Sequence, residues 1–128
     1  MYIIMKRDIQ NREDIELIID KFYKKVLKDP VIAVYFTEVI PVNWEKHTPL
    51  MVNFWENILF FTEKYEGNPM SVHKRLNANH QMSIKDFQRW NNLFLETVNE
   101  LFKGERAEMM KEKAMNISAI MQSSIFKS

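Results

Sequence analysis

Glycine is nearly absent from this chain: two residues in 128, alongside four prolines. Chains built from tight β-hairpins need glycine at turn positions with positive φ, so this composition argues against them. Apolar residues recur instead at i, i+3, i+4 and i+7 along most of the sequence, the signature of amphipathic helices. The spacing predicts a first helix over about Arg12–Lys28, with Asn11 as N-cap and Asp14 three residues on. Its apolar face is Ile15, Ile18, Ile19, Phe22, Tyr23 and Val26, and Asp29-Pro30 stops it. A short apolar turn follows over residues 31–36. Pro41 introduces a second helical region that ends near Glu63, with Leu50, Met51, Phe54, Trp55, Ile58 and Leu59 on one face. Gly67-Asn68-Pro69 is a break, residues 70–76 form a short segment, and the polar run 77–81 reads as a loop. Ser83, with Asp86 at the capping-box position, opens a third long helix faced by Phe87, Trp90, Phe94, Val98 and Leu101. Gly104 is expected to end it. A last helix over about residues 106–125 carries a stripe of Met110, Ala114, Ile117 and Met121. The fold class is all-α. A four-helix bundle and a globin-like arrangement both satisfy this pattern, and they differ in whether the core holds a cofactor.

A single domain of this length buries roughly two-thirds of the surface its unfolded chain exposes, enough for a core without staples. Hydrophobic residues make up 46% and aromatics 12%, which excludes a disordered chain. Nine methionines supply flexible gap-fillers, equally suited to plain core packing and to closing around an irregular object. Eighteen basic residues against seventeen acidic ones leave a net charge of +1, so nothing attracts the chain to nucleic acid or to an anionic membrane. The absence of cysteine excludes disulfides, thiolate metal sites and a cysteine nucleophile, and fits a reducing cytosol. The apolar residues 1–4 are too short for a signal peptide or membrane span. Translation starting at Met5 would make them a ragged end. Residues 1–10 are therefore expected to form an N-terminal extension to a single, soluble, cytoplasmic domain.

Three histidines are candidates for chemistry: His47, His73 and His80. Imidazole is a common metal ligand. His73 has Met70 and Leu76 at i−3 and i+3, on the apolar side of its segment. A histidine in that setting is more often a satisfied core residue than a ligand. His47 precedes Leu50, Met51 and Phe54 at i+3, i+4 and i+7. His80 lies in a polar stretch and reads as an exposed loop residue. No HExxH and no i, i+4 histidine pair exists, so a zinc hydrolase has no support. Tyr23 and Trp90 sit within apolar stripes, and their polar tips need partners if buried. No GxGxxG, phosphate-binding GxxxxGK[ST] or GxSxG motif is present. Lys24-Lys25 and the pair Lys111 and Lys113 read as solvated helix faces.

Taken in order, "FYKKVLKDPVIAVYF", "WEKH", "NFWENILF", "GNPMSVH" and "FQRW" resemble the truncated haemoglobins of the third group, and the likeness runs over residues 12–124. The resemblance implies a two-over-two helical sandwich around haem b. It implies His73 as the proximal iron ligand, with Tyr23, His47 and Trp90 facing the bound ligand from the distal side. Phe36 would pack on the haem, and Phe22, Met51, Phe54, Leu76 and Phe87 would line the pocket. Lys46 and Arg75 are candidate partners for the propionates. The ligand would be a diatomic gas: O2, NO or CO. A hydrogen bond to a charged group contributes about 1.5–3 kcal/mol, so two independent donors would slow dissociation by roughly 10²–10⁴-fold. That favours ligand retention and redox chemistry, such as detoxification of nitric oxide or peroxide, over transport. It leaves dioxygenase or peroxidase activity open and implies a reductase as a further partner. The competing reading is a cofactor-free helical interaction module. Thr48-Pro49 complicates the second helix. With Thr48 as N-cap and Pro49 at the first helical position, the regular helix would start after His47. His47 would then sit at a joint and be the most mobile distal residue.

Overall fold

The structure is a computed structural model that describes residues 6–34, 44–60 and 83–126. Four helices occur among these residues: α1 (Arg12–Lys28), α2 (Trp44–Phe60), α3 (Ile84–Leu101) and α4 (Glu105–Phe126). No strand occurs among the described residues. The fold is all-α, as the periodicity predicts.

α1 forms where its spacing and cap place it. The Asn11 side chain accepts from the Asp14 N–H at 3.0 Å. Asp14 is itself held by both terminal nitrogens of Arg7, each at 2.7 Å, and by the Gln10 N–H. All six residues of the expected apolar face are buried. At the C-terminal end the Asp29 N–H bonds the Val26 carbonyl, while the Asp29 carboxylate accepts from the Val31 and Ile32 N–H groups. That carboxylate folds the chain into the turn that Pro30 had signalled.

α2 departs from expectation in two ways. The helix is continuous through Thr48 and Pro49, so His47 lies inside it and not at a joint. Pro49 withholds only the N–H that would reach the Glu45 carbonyl, four residues back. Glu45 is exposed in the first turn, where water can satisfy that carbonyl. The buried face is also rotated: Met51, Val52, Trp55 and Leu59 are buried, whereas Leu50 is 38% exposed and Phe54 and Ile58 are half-buried.

α3 opens with the expected capping box, Ser83 and Asp86 each accepting from the other's backbone N–H. It closes at Leu101, however, and Gly104 belongs to the start of α4. The Gly104 carbonyl accepts from the Glu108 N–H, which makes Gly104 the N-cap. Its φ of +151° suits glycine, and an added Cβ would overlap the Asp8 side chain. Asp8 does the capping from afar, accepting from the Arg106 and Ala107 N–H groups at 2.9 Å each. These bonds hold its carboxyl below the usual carboxylate range against the opposing effect of burial, the largest single influence. Residues 7–10 pack against this end of the fold. Ile9 is fully buried, and the Arg7 carbonyl accepts from the Lys103 N–H.

α1 packs against α2 and α3, and α3 packs against α4, with a smaller contact from α2 to α4. The α1/α2 pair therefore lies over the α3/α4 pair, the expected two-over-two arrangement. Aromatic rings fill the centre. Phe22 meets Trp90 and Phe94 edge-on at 5.3 and 5.0 Å. Trp55 and Trp90 both stack on Phe94, at 5.6 and 6.2 Å. Among the described residues, no helix is long and apolar enough to cross a membrane.

Candidate functional site

Tyr23 follows Phe22 on the buried face of α1, and its hydroxyl lies 3.0 Å from His47 Nε2 on α2. The two rings pack edge-to-face, 5.5 Å between centroids. Burial raises the Tyr23 hydroxyl far above its ordinary pKa, and burial lowers that of the His47 imidazole. Both are therefore neutral near pH 7. With the proton on Nδ1, the tyrosine hydroxyl donates to His47. With the proton on Nε2, the imidazole donates to the phenolic oxygen, and the tyrosine proton is directed elsewhere.

Trp90, on α3, is buried, and its indole Nε1 is shielded from solvent. Phe22 bridges α1 and α3 at this point, since its ring touches Tyr23 at 5.1 Å as well as Trp90. Met51 lies one turn after His47 and Phe87 one turn before Trp90, and both are buried. Phe54 is half-buried and packs on Trp55. Lys46 is exposed beside His47. Tyr23 and His47 are thus in direct contact, and Trp90 joins them through the Phe22 ring. Phe36, His73, Arg75 and Leu76 lie outside the described residues, as does His80. Among the described residues, no group of three or more His, Cys, Asp or Glu is placed to hold a metal ion.

One polar contact beside this cluster escapes sequence reasoning. Arg89, which precedes Trp90 on α3, donates from Nε to Asp29 Oδ2 at 2.6 Å. The Asp29 carboxyl lies below the usual range: burial, the largest influence, raises it, and the bonds from Arg89, Val31 and Ile32 outweigh that. The only sequence signal was Asp29 itself, as a helix stop before proline. Nothing marked Arg89 as its partner sixty residues on.

No family model matches the chain. Over 126 residues it is 29% identical to the group 3 truncated hemoglobin ctb of Campylobacter jejuni, an alignment covering 96% of this chain and 97% of that one. It is 30% identical over 88 residues to the group 1 truncated hemoglobin GlbN of Synechocystis, covering 68% of each chain. Its structure matches the crystal structure of group III truncated hemoglobin from Campylobacter jejuni with a TM-score of 0.79 at 25% identity, over 96% of this chain and 97% of that chain. Agreement in sequence and in helix arrangement assigns this chain to the truncated haemoglobin family, with its full-length likeness to a member of the third group.

Proposed function

We propose that the chain binds haem b through His73 and holds a diatomic ligand on the opposite face, next to Tyr23, His47 and Trp90. The contact between the Tyr23 hydroxyl and His47 Nε2, made at the edge of an aromatic core that holds Tyr23, is the observation that carries this reading. A haem requires an apolar wall and a few neutral hydrogen-bonding groups on its ligand side. The described residues fit that need. Phe22, Met51 and Phe87 are buried apolar side chains, Phe54 and Ile58 add half-buried surface on α2, and Tyr23, His47 and Trp90 are polar without being charged.

When bound, haem supplies an iron that takes a small gas molecule at its open coordination position. The chain's own residues do the rest. Tyr23 keeps its proton over the physiological range because burial disfavours the phenolate. It is therefore a constant donor. His47 in its Nε2–H form bonds the phenolic oxygen and frees the tyrosine proton to point into the pocket. Trp90 has an indole N–H that can only donate. Such donors favour ligands that gain negative charge, and retain them. Retention suits redox chemistry on nitric oxide or peroxide, supplied with electrons by a reductase, better than it suits oxygen transport. Lys46, exposed beside the site, and Arg75 are the proposed propionate partners. Phe36 and Leu76 complete the proposed lining.

The test is optical. The purified protein, supplied with haem, should show a Soret band, and His73→Ala should lose most of its haem retention. Absence of the band would overturn the reading. Full retention in the variant would move the ligand to another residue.

A further inference from the structure

We infer that the Asp29–Arg89 ion pair is a positioning device that fixes the Trp90 indole relative to Tyr23. The inference rests on the reading of Tyr23 and Trp90 as the ligand-facing pair. Asp29 lies six residues after Tyr23, at the end of α1, and its side chain is only 2% exposed. Three donors occupy its carboxylate: the Val31 and Ile32 N–H groups on Oδ1 and Arg89 Nε on Oδ2. The first two make it a rigid part of the chain's turn. The third ties that turn to α3 at the residue preceding Trp90. Consecutive helical residues share one rigid backbone, so sliding of Trp90 along α1 is opposed by this bond.

The other ion pairs between α1 and α3 among the described residues hold less firmly. Lys25 reaches Glu100 at 2.7 Å and Glu96 at 3.8 Å, but there the carboxylates are about half exposed, whereas in the Asp29–Arg89 pair the carboxylate is buried and the arginine is the half-exposed partner. Exposed pairs of that kind contribute little to stability. The aromatic contacts of Phe22 with Trp90 and Phe94 resist separation of the helices but tolerate small sliding, because ring contacts are less directional than hydrogen bonds. Hydrogen bonding to a small ligand is sensitive to displacements of well under 1 Å. The Asp29–Arg89 pair supplies the directional restraint that the ring packing lacks.

Three substitutions separate this role from mere stability. Arg89→Gln removes the charged donor. Asp29→Asn keeps an acceptor for the Val31 and Ile32 N–H groups but weakens the tie to Arg89. Arg89→Lys restores a cationic donor. Indole N–H resonances are recorded on the protein as purified, in its ferrous carbonyl form where it carries haem, with Trp90→Phe assigning the Trp90 signal. Arg89→Gln and Asp29→Asn should both shift that signal while that of Trp55 stays in place. Both should speed oxygen dissociation by about 3- to 30-fold, the range of couplings carried through neighbouring side chains. Arg89→Lys should recover most of the wild-type rate, and Arg89→Gln should add nothing in a Trp90→Phe background. The inference is overturned by an unmoved Trp90 signal, by an equal shift of the Trp55 signal, or by an effect of Arg89→Gln that survives Trp90→Phe. If the wild-type protein shows no Soret band, the haem reading fails instead, and the indole spectra still decide whether the pair positions Trp90.

Discussion

Gly104→Ala is expected to be among the most damaging single-methyl additions to this fold, and Asp8 is the reason. The new Cβ would lie 2.8 Å from Asp8 Oδ2 and closer still to Asp8 Cβ and Cγ. Asp8 cannot swing aside cheaply, because its carboxylate accepts from the Ile9, Arg106 and Ala107 N–H groups. Displacing it uncaps α4, a loss of about 1–2 kcal/mol for a helix N-cap. Alanine at φ +151° adds a backbone cost of about 1–3 kcal/mol. The sum is about 2–5 kcal/mol, a large share of the stability of a domain this size. Asp8→Gly alone loses the cap and removes every side-chain atom that the new methyl would meet, and should cost about 1–2 kcal/mol for the cap, plus about 0.5–1 kcal/mol for the added chain freedom. In the Asp8→Gly, Gly104→Ala double variant the added methyl meets no side chain at position 8, so only the backbone cost remains on top of the lost cap. The double variant should therefore be more stable than the sum of the singles by about 1–2 kcal/mol. Urea unfolding of the wild type, both singles and the double closes the cycle. Additivity of the two singles to within about 0.5 kcal/mol, or a Gly104→Ala cost below about 1 kcal/mol, would refute the capping argument.

On the functional side, Tyr23→Phe and Trp90→Phe should each speed oxygen dissociation from the ferrous haem protein by about 10- to 100-fold, as expected for losing one hydrogen bond to a charged group. Stopped-flow displacement measures this, and a rate within twofold of wild type would place that side chain outside the ligand's reach. The pH dependence of stability should carry a signature of His47. Its folded pKa lies below the ordinary 6.5, so the folded protein binds that proton more weakly than the unfolded chain does. The stability it contributes is present above pH 6.5 and is lost as the pH falls through the window below. Urea midpoints of wild type and His47→Gln should run parallel above pH 7 and converge or cross below pH 6.5. Curves that stay parallel down to pH 5 would remove His47 as the titrating group. The carboxyls of Asp8, Asp14 and Asp29 are all lowered from 3.8, so their loss belongs to a separate window at lower pH.

What could be read from the sequence follows the range of the interactions involved. α1 was fully legible: a polar cap and six apolar residues at one helical period are local signals, and local bonding decides them. α2 was legible as a helix but not in its orientation. It is apolar on several sides, so periodicity alone could not choose Val52 over Leu50 for the core. The assignment of Gly104 failed for a related reason. Glycine marks a helix end and also serves as an N-cap, and the choice was made by Asp8, ninety-eight residues from the Arg106 N–H it accepts from. Arg89 and Asp29 belong to the same class of long-range polar pair, which no pattern along the chain foretells.

The candidate site shows the limit most clearly, and also how it is overcome. Periodicity alone makes Tyr23, His47 and Trp90 ordinary members of three apolar faces. An interior position needs no hydroxyl, imidazole or indole, however, and each polar group carried inside costs free energy unless it is bonded. Leucine or phenylalanine would fill the same volumes at lower cost. Three such residues from three helices, two in direct contact and the third across a shared phenylalanine ring, are therefore poorly explained as packing. Tyr23 and Trp90 are buried and His47 is half-buried, all three neutral near pH 7, which gives the cluster donors without charge, the combination that a small ligand on an iron would use. The ordered motifs named the three residues one by one. The Tyr23–His47 contact and the Phe22 ring that Tyr23 and Trp90 share are the physical reason to treat them as a candidate site and not as core alone.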